Sequence, residues 1–185
     1  VLMLASGLML NAQKISVQKG SLSSIKGQKT LFATFDYSNM GVGKFDKEDD
    51  YIAKKTEDYN KSEAGKGDSW AAAWKDDRAR RYEPRFEELF NKYGEKIGMT
   101  VSRTATDAQF EVNVHTIFTE PGFNVGVMRK PAYINAIVTF KNIASGEEVA
   151  VLKFENVPGQ DAMGYDFDTG VRIEESYAKL GKALM

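Results

Sequence analysis

Gln109-Phe110-Glu111-Val112-Asn113-Val114-His115-Thr116-Ile117-Phe118-Thr119 decides the fold class. Apolar and polar side chains alternate along this stretch. Phe110, Val112, Val114, Thr116 and Phe118 share one face, and Glu111, Asn113 and His115 share the other. A period of two marks a strand with one face buried and the other in water. Two later stretches repeat the pattern. Tyr133 to Lys141 turns Ile134, Ala136, Val138 and Phe140 inward, and Glu148 to Asn156 turns Ala150, Leu152 and Phe154 inward. Asn142 to Glu147 joins them and carries Ser145-Gly146, a turn signal, so the pair is expected to form an antiparallel hairpin.

Upstream, Thr30 to Tyr37 reads as another strand, with Leu31, Ala33, Phe35 and Tyr37 on one face; Phe32 on the other allows cover on both sides. Ile15 and Val17 alternate with polar neighbours as a short edge strand, Gly20 to Gln28 reads as a turn, and Met99 to Arg103 is a further short strand. Helical spacing dominates from Asp68 to Ile97, where Trp70 and Trp74 lie one turn apart and Tyr82, Phe86, Leu89, Phe90, Tyr93 and Ile97 continue the stripe. Pro84 lacks a backbone donor, so it opens a second helix or kinks a single one, and Gly98 suits a left-handed helix end. A last helix starts near Asp168 or Thr169, with Ile173, Tyr177, Leu180 and Leu184 on one face. Residues 46–67 form a charged insertion, read as an exposed helix or a partly flexible segment. Together these make one α+β domain over 13–185, a two-layer sandwich: a mixed, mostly antiparallel sheet with two main amphipathic helices on one face.

Composition narrows the function classes. The 185 residues carry 25 basic and 26 acidic side chains and a formal net charge of −1, which argues against the basic footprint of a nucleic-acid or membrane-surface binder. Cysteine is absent, which removes disulfides, thiol nucleophiles, thiolate zinc sites and an acylated terminal cysteine. With a single histidine, His115, a site with several histidines cannot form within one chain. The first twelve residues, Val1-Leu2-Met3-Leu4-Ala5-Ser6-Gly7-Leu8-Met9-Leu10-Asn11-Ala12, are apolar or small up to the polar Gln13-Lys14. That run is shorter than the roughly 20 residues of a bilayer span and matches the apolar part of a secretory signal, so residues 1–12 are expected to be a signal remnant cleaved after Ala12. A periplasmic or secreted location follows as an expectation.

The order of elements resembles the amino-terminal domain of the Tol-system translocation protein and related small envelope proteins of unknown function. Thr30 to Tyr37 is similar to their opening strand, and Arg85 to Ile97 ending at Gly98 to their first main helix. Ala105-Thr106-Asp107-Ala108 leading into Gln109 resembles their step into a strand, and Tyr133 to Phe154 their closing hairpin. The resemblance covers roughly Thr30 to Met185, with Asp46 to Gly67 as an insertion. It implies a non-enzymatic envelope component that contacts other proteins, such as another envelope protein, or the membrane periphery, and it brings no catalytic motif.

Candidate chemistry is sparse. Gly41-Val42-Gly43-Lys44 follows a strand, but a phosphate loop needs Gly in place of Ser38 and Ser or Thr in place of Phe45, so a turn is expected. His115 shares its polar face with Asn113 and Glu111, the setting of a general base, yet no nucleophile turn accompanies it. Asp161, Asp166 and Asp168 precede the last helix; they lack an EF-hand pattern, and helix capping explains them more simply than a cation. Trp70, Trp74 and Tyr82 read as core before they read as a ligand groove. Phe123, Val125, Val127 and Met128 lie among glycines and prolines between two strands, the pattern of a contact surface or of another edge strand. The expected function is therefore a protein-interaction component with no catalytic, cofactor or metal site. The alternatives are a carrier holding a small apolar ligand or lipid fragment between helices and sheet, and a hydrolase centred on His115.

Overall fold

The computed structural model describes residues 13–125, 128–159 and 168–185. The alternating stretch from Gln109 to Thr119 becomes β5 (Phe110–Glu120), which lies inside a seven-stranded sheet. β8 (Tyr133–Asn142) and β9 (Glu148–Pro158) follow antiparallel beside it, and β1 (Lys14–Gly20) closes that side against β9. On the other side β2 (Thr30–Asp36) runs parallel to both β5 and β4 (Thr100–Ser102). The order is β1-β9-β8-β5-β2-β4, with β3 (Gly41–Val42) pairing parallel to the end of β5. The sheet is mixed and mostly antiparallel, as the hairpin signal at Ser145-Gly146 implied. Gly146 adopts a positive φ of 74°, and its N–H donates to the carbonyl of Asn142 at 2.8 Å.

One face of the sheet carries the apolar rows. Val112, Val114, Ile134, Ala136 and Val138 are wholly buried there. They lie beneath α3 (Glu83–Gly94) and α4 (Thr169–Ala183), which pack against each other. α4 lies over β8 and β9, and α3 reaches β4. Phe86 and Phe90 of α3 and Ile173, Tyr177 and Leu180 of α4 are the buried stripes, spaced as an amphipathic helix requires. Phe35 meets Phe86 edge to face at 5.5 Å. The opposite face is polar and bonded within itself, and Phe32 is only half-buried on it. Thr34 and Lys141 both donate to Glu111, at 2.5 and 2.6 Å, and Asn113 donates to Thr34 at 2.9 Å. Burial pushes the Glu111 carboxyl up, but the bonds from Lys141 and Thr34 outweigh this and hold it below the ordinary carboxylate value.

One detail differs from the sequence reading, for a physical reason, and two alternatives it left open are decided. The inward row of β5 does not continue to Phe118, because a bulge between Thr116 and Phe118 shifts the register; Thr119 and Glu120 are buried instead. The charged stretch 46–67 takes the helical alternative: it supplies α1 (Glu48–Ser62) and the start of α2 (Lys66–Asp77). α1 has Glu48, Asp49 and Asp50 in its first turn and Lys61 in its last, matched to the helix dipole, and it is pinned by Tyr51 against Phe45, Trp70 and Trp74. Pro84 falls in the first turn of α3, as the first of its two alternatives had it. Arg78–Tyr82 forms a π-helical turn in which Glu83 donates to the carbonyl of Arg78, and α3 follows directly. A proline cannot donate to the carbonyl four residues back, and a widened turn is one way to absorb that loss.

Candidate functional site

The stretch from Phe123 to Met128 neither remains an open loop nor joins the main sheet. β6 (Phe123–Val125) and β7 (Met128–Lys130) pair antiparallel as a separate two-stranded sheet, with Phe123 opposite Lys130 and Val125 opposite Met128. Val127 lies outside the described residues. Phe123 is 40% exposed, an unusual cost for a phenylalanine when the other described phenylalanine rings are largely covered.

This hairpin has a built base. Glu120, 5% exposed, receives a hydrogen bond and an ion pair from Lys130, which returns from the far strand. Its other oxygen accepts from the backbone N–H of Gly122 at 3.1 Å. Arg172 of α4, 4% exposed, donates from Nε to the carbonyl of Pro121 at 3.2 Å and from Nη2 to Thr169 at 3.1 Å. Gly122 has a φ of +66°, and a Cβ there would stand 2.6 Å from the carbonyl oxygen of Lys130, so only glycine fits the crossing. Two buried charged side chains thus bond the neck of a hairpin to the core. Sequence reasoning missed Glu120, Lys130 and Arg172. The available signal was the pairing of Glu120-Pro121 with Lys130-Pro131 at the two ends of the apolar stretch.

His115 projects from the polar face, as its position in the alternation implies. Its Nε2 lies 2.9 Å from the carbonyl oxygen of Ser38 and 3.8 Å from Asp36. The Ser38 hydroxyl donates to Asp36 at 3.0 Å and not to the imidazole. Bonds from Ser38, its backbone N–H first, hold the Asp36 carboxyl below its ordinary value. Among the described residues the imidazole therefore meets a backbone carbonyl and a carboxylate, with no hydroxyl bonded to it. Gly41-Val42 is strand β3, not a phosphate loop.

Between helices and sheet, Tyr37, Glu48, Trp74, Arg78, Tyr82 and Tyr177 border a cavity of about 10 Å³, room for one water and far below the several hundred Å³ of a ligand pocket. The space is filled by chemistry. Arg78 pairs with Glu48 and covers the Tyr37 ring at 4.3 Å, Trp74 donates to Glu48 at 2.7 Å, and Tyr177 bonds Thr116 at 2.7 Å. A larger cleft of about 410 Å³ lies elsewhere, between α2 and the start of α4, bordered by Tyr59, Trp70, Trp74, Arg80, Arg81 and Asp168. Trp74 and Tyr82 are core residues at 5% exposure, and Trp70 is half-buried at the cleft. Asp168 caps α4, accepting from Gly170 at 2.9 Å, and pairs with Arg81 at 2.8 Å; Asp161 and Asp166 lie outside the described residues. Among the described residues no group of three potential metal-binding side chains gathers. No described helix is long and apolar enough to cross a membrane.

No family model matches the chain, and no curated protein matches it. Among solved structures it is similar to PelC of Paraburkholderia phytofirmans, a dodecamer, at 10% identity and a TM-score of 0.42, over 94% of this chain and 97% of that one. It is also similar to a Xanthomonas campestris protein of family DUF330, at 11% identity and a TM-score of 0.33, over 54% of this chain and 56% of that one. Likeness at this level transfers no residue roles.

Proposed function

We propose that this chain is a non-enzymatic cell-envelope protein, periplasmic or secreted, that meets another envelope protein through the β6–β7 hairpin. The observation that carries the reading is the hairpin itself. It forms a sheet apart from the core, presents Phe123 at 40% exposure and is bonded at its neck by buried Glu120 and Arg172. A fold gains little from ordering such an element unless the element makes contacts outside it. His115 without an aligned hydroxyl supports the non-enzymatic half. The export half rests on the apolar run of residues 1–12.

The test is a photo-crosslinking side chain placed at Phe123 in the native cells, with Lys54 on α1 as the control position. A discrete adduct from 123 and none from 54 is the expected result; equal, diffuse capture from both positions overturns the reading. The carrier alternative moves from the helix–sheet layer to the Trp70 cleft, whose volume suits a small ligand. Co-purification of a small apolar molecule with the native protein, lost on Trp70→Ala, would favour it.

A further inference from the structure

β1 ends the sheet on one side, and its outer edge has no strand beside it among the described residues. Lys14, Ile15, Ser16 and Val17 pair in regular register with Glu155, Phe154, Lys153 and Leu152 of β9. Directly opposed residues in an antiparallel pair point to the same face. Ile15 and Val17 therefore project to the helix-covered side, as Phe154 and Leu152 do. Their burial is nevertheless opposite: Phe154 is 1% and Leu152 7% exposed, whereas Ile15 is 47% and Val17 64% exposed. The helix layer ends over β9 and leaves two β-branched side chains in water on an edge strand, the arrangement that ordinarily invites pairing.

We propose that this edge binds a second copy of the chain, β1 against β1 antiparallel, with the two-fold axis through Ser16. The sequence of the strand selects that register. With Ser16 opposite Ser16, Ile15 of each copy faces Val17 of the other, so all four exposed apolar side chains meet on one face. Lys14 then faces Gln18, and no lysine faces a lysine. Centring on Ile15 would set Val17 against Gln13, and centring on Val17 would set Ile15 against Lys19. A shift by one residue would set Ile15 against Ser16 and place the two helix layers on opposite sides of the joined sheet. Charge does not forbid the contact, because Lys14 and Lys19 are each paired with a glutamate of β9, Glu155 at 3.9 Å and Glu148 at 3.2 Å. The register shift between Val17 and Lys19 stops regular pairing there, which limits the contact to the first half of β1 and closes it as a two-fold pair. The inference is independent of the hairpin reading, which uses a different surface.

The cysteine-free sequence makes the register directly testable. Directly opposed residues place their Cα atoms about 4.5–5.5 Å apart, within the range of about 4.4–6.8 Å that a disulfide spans. In the full chain, Ser16→Cys should form a disulfide dimer on mild oxidation about tenfold faster than Gln18→Cys or Ser62→Cys, since only the first is self-opposed at bonding distance. Sedimentation equilibrium of the unmodified chain should give twice the 20.6 kDa monomer mass, and Val17→Lys, at an exposed position, should give the monomer. A monomeric unmodified chain, or disulfide formation at equal rates from all three positions, overturns the proposal.

Discussion

The β8–β9 and β6–β7 hairpins use the same backbone pairing and hold opposite places in the molecule. β8–β9 lies inside the main sheet, and its inward row of Ile134, Ala136, Val138, Phe140, Ala150, Leu152 and Phe154 is at most 7% exposed beneath the helices. Among the described residues β6–β7 pairs only within itself, leaves Phe123 exposed, and joins the core through charged groups at its neck. The first hairpin is held by burial along its whole length. The second is held, among the described residues, by charged groups at its neck. The difference separates the part of the chain that makes the fold stable from the part available for contact.

Four substitutions sharpen that contrast. Phe140→Ala removes a wholly covered ring from the β8–β9 row and should cost about 3–5 kcal/mol, read as a large fall in the thermal midpoint. Glu120→Ala leaves Lys130, which is half exposed, to solvent but frees the neck of β6–β7. It should cost about 1–3 kcal/mol, with amide hydrogen exchange accelerated in β6 and β7 and little changed in β8 and β9. Equal acceleration in both hairpins would break the contrast. Asp168→Ala removes the cap of α4, worth about 1 kcal/mol at neutral pH. Burial raises the Asp168 carboxyl, but the bond from Arg81 prevails and holds it below 3.8. A depressed folded value means the contribution is complete above the unfolded value and is lost as pH falls through the folded one. The gap between wild type and Asp168→Ala should accordingly close below about pH 3.8 in acid-unfolding curves. Phe123→Ser should change stability by less than about 0.5 kcal/mol, the smallest of the four effects.

Much of the fold was legible because burial writes itself into spacing. The alternation in β5, β8 and β9 and the helical stripes through Phe86, Phe90, Ile173, Tyr177 and Leu180 each reflect one face against the core. What was not legible depended on partners distant in sequence. The parallel pairing of β2 with β4 and β5 leaves no local mark, and β3 is two residues inside a glycine-rich string. The bulge after Thr116 reverses the facing of Phe118, which no alternation rule anticipates. The apolar content of the 123–128 stretch was visible, and so was the Glu120/Lys130 pairing at its ends, but the Arg172 part of its neck was not, because Arg172 arrives from a helix 51 residues away from Pro121.

We propose that the chain acts through the outward hairpin and not through its core or a reactive side chain. A competition measurement tests it most directly. With the photo-crosslinker at Phe123, excess unlabelled wild-type chain should abolish the adduct, whereas excess Phe123→Asp chain with an unchanged melting temperature should leave it intact. Equal competition by both chains would contradict the account.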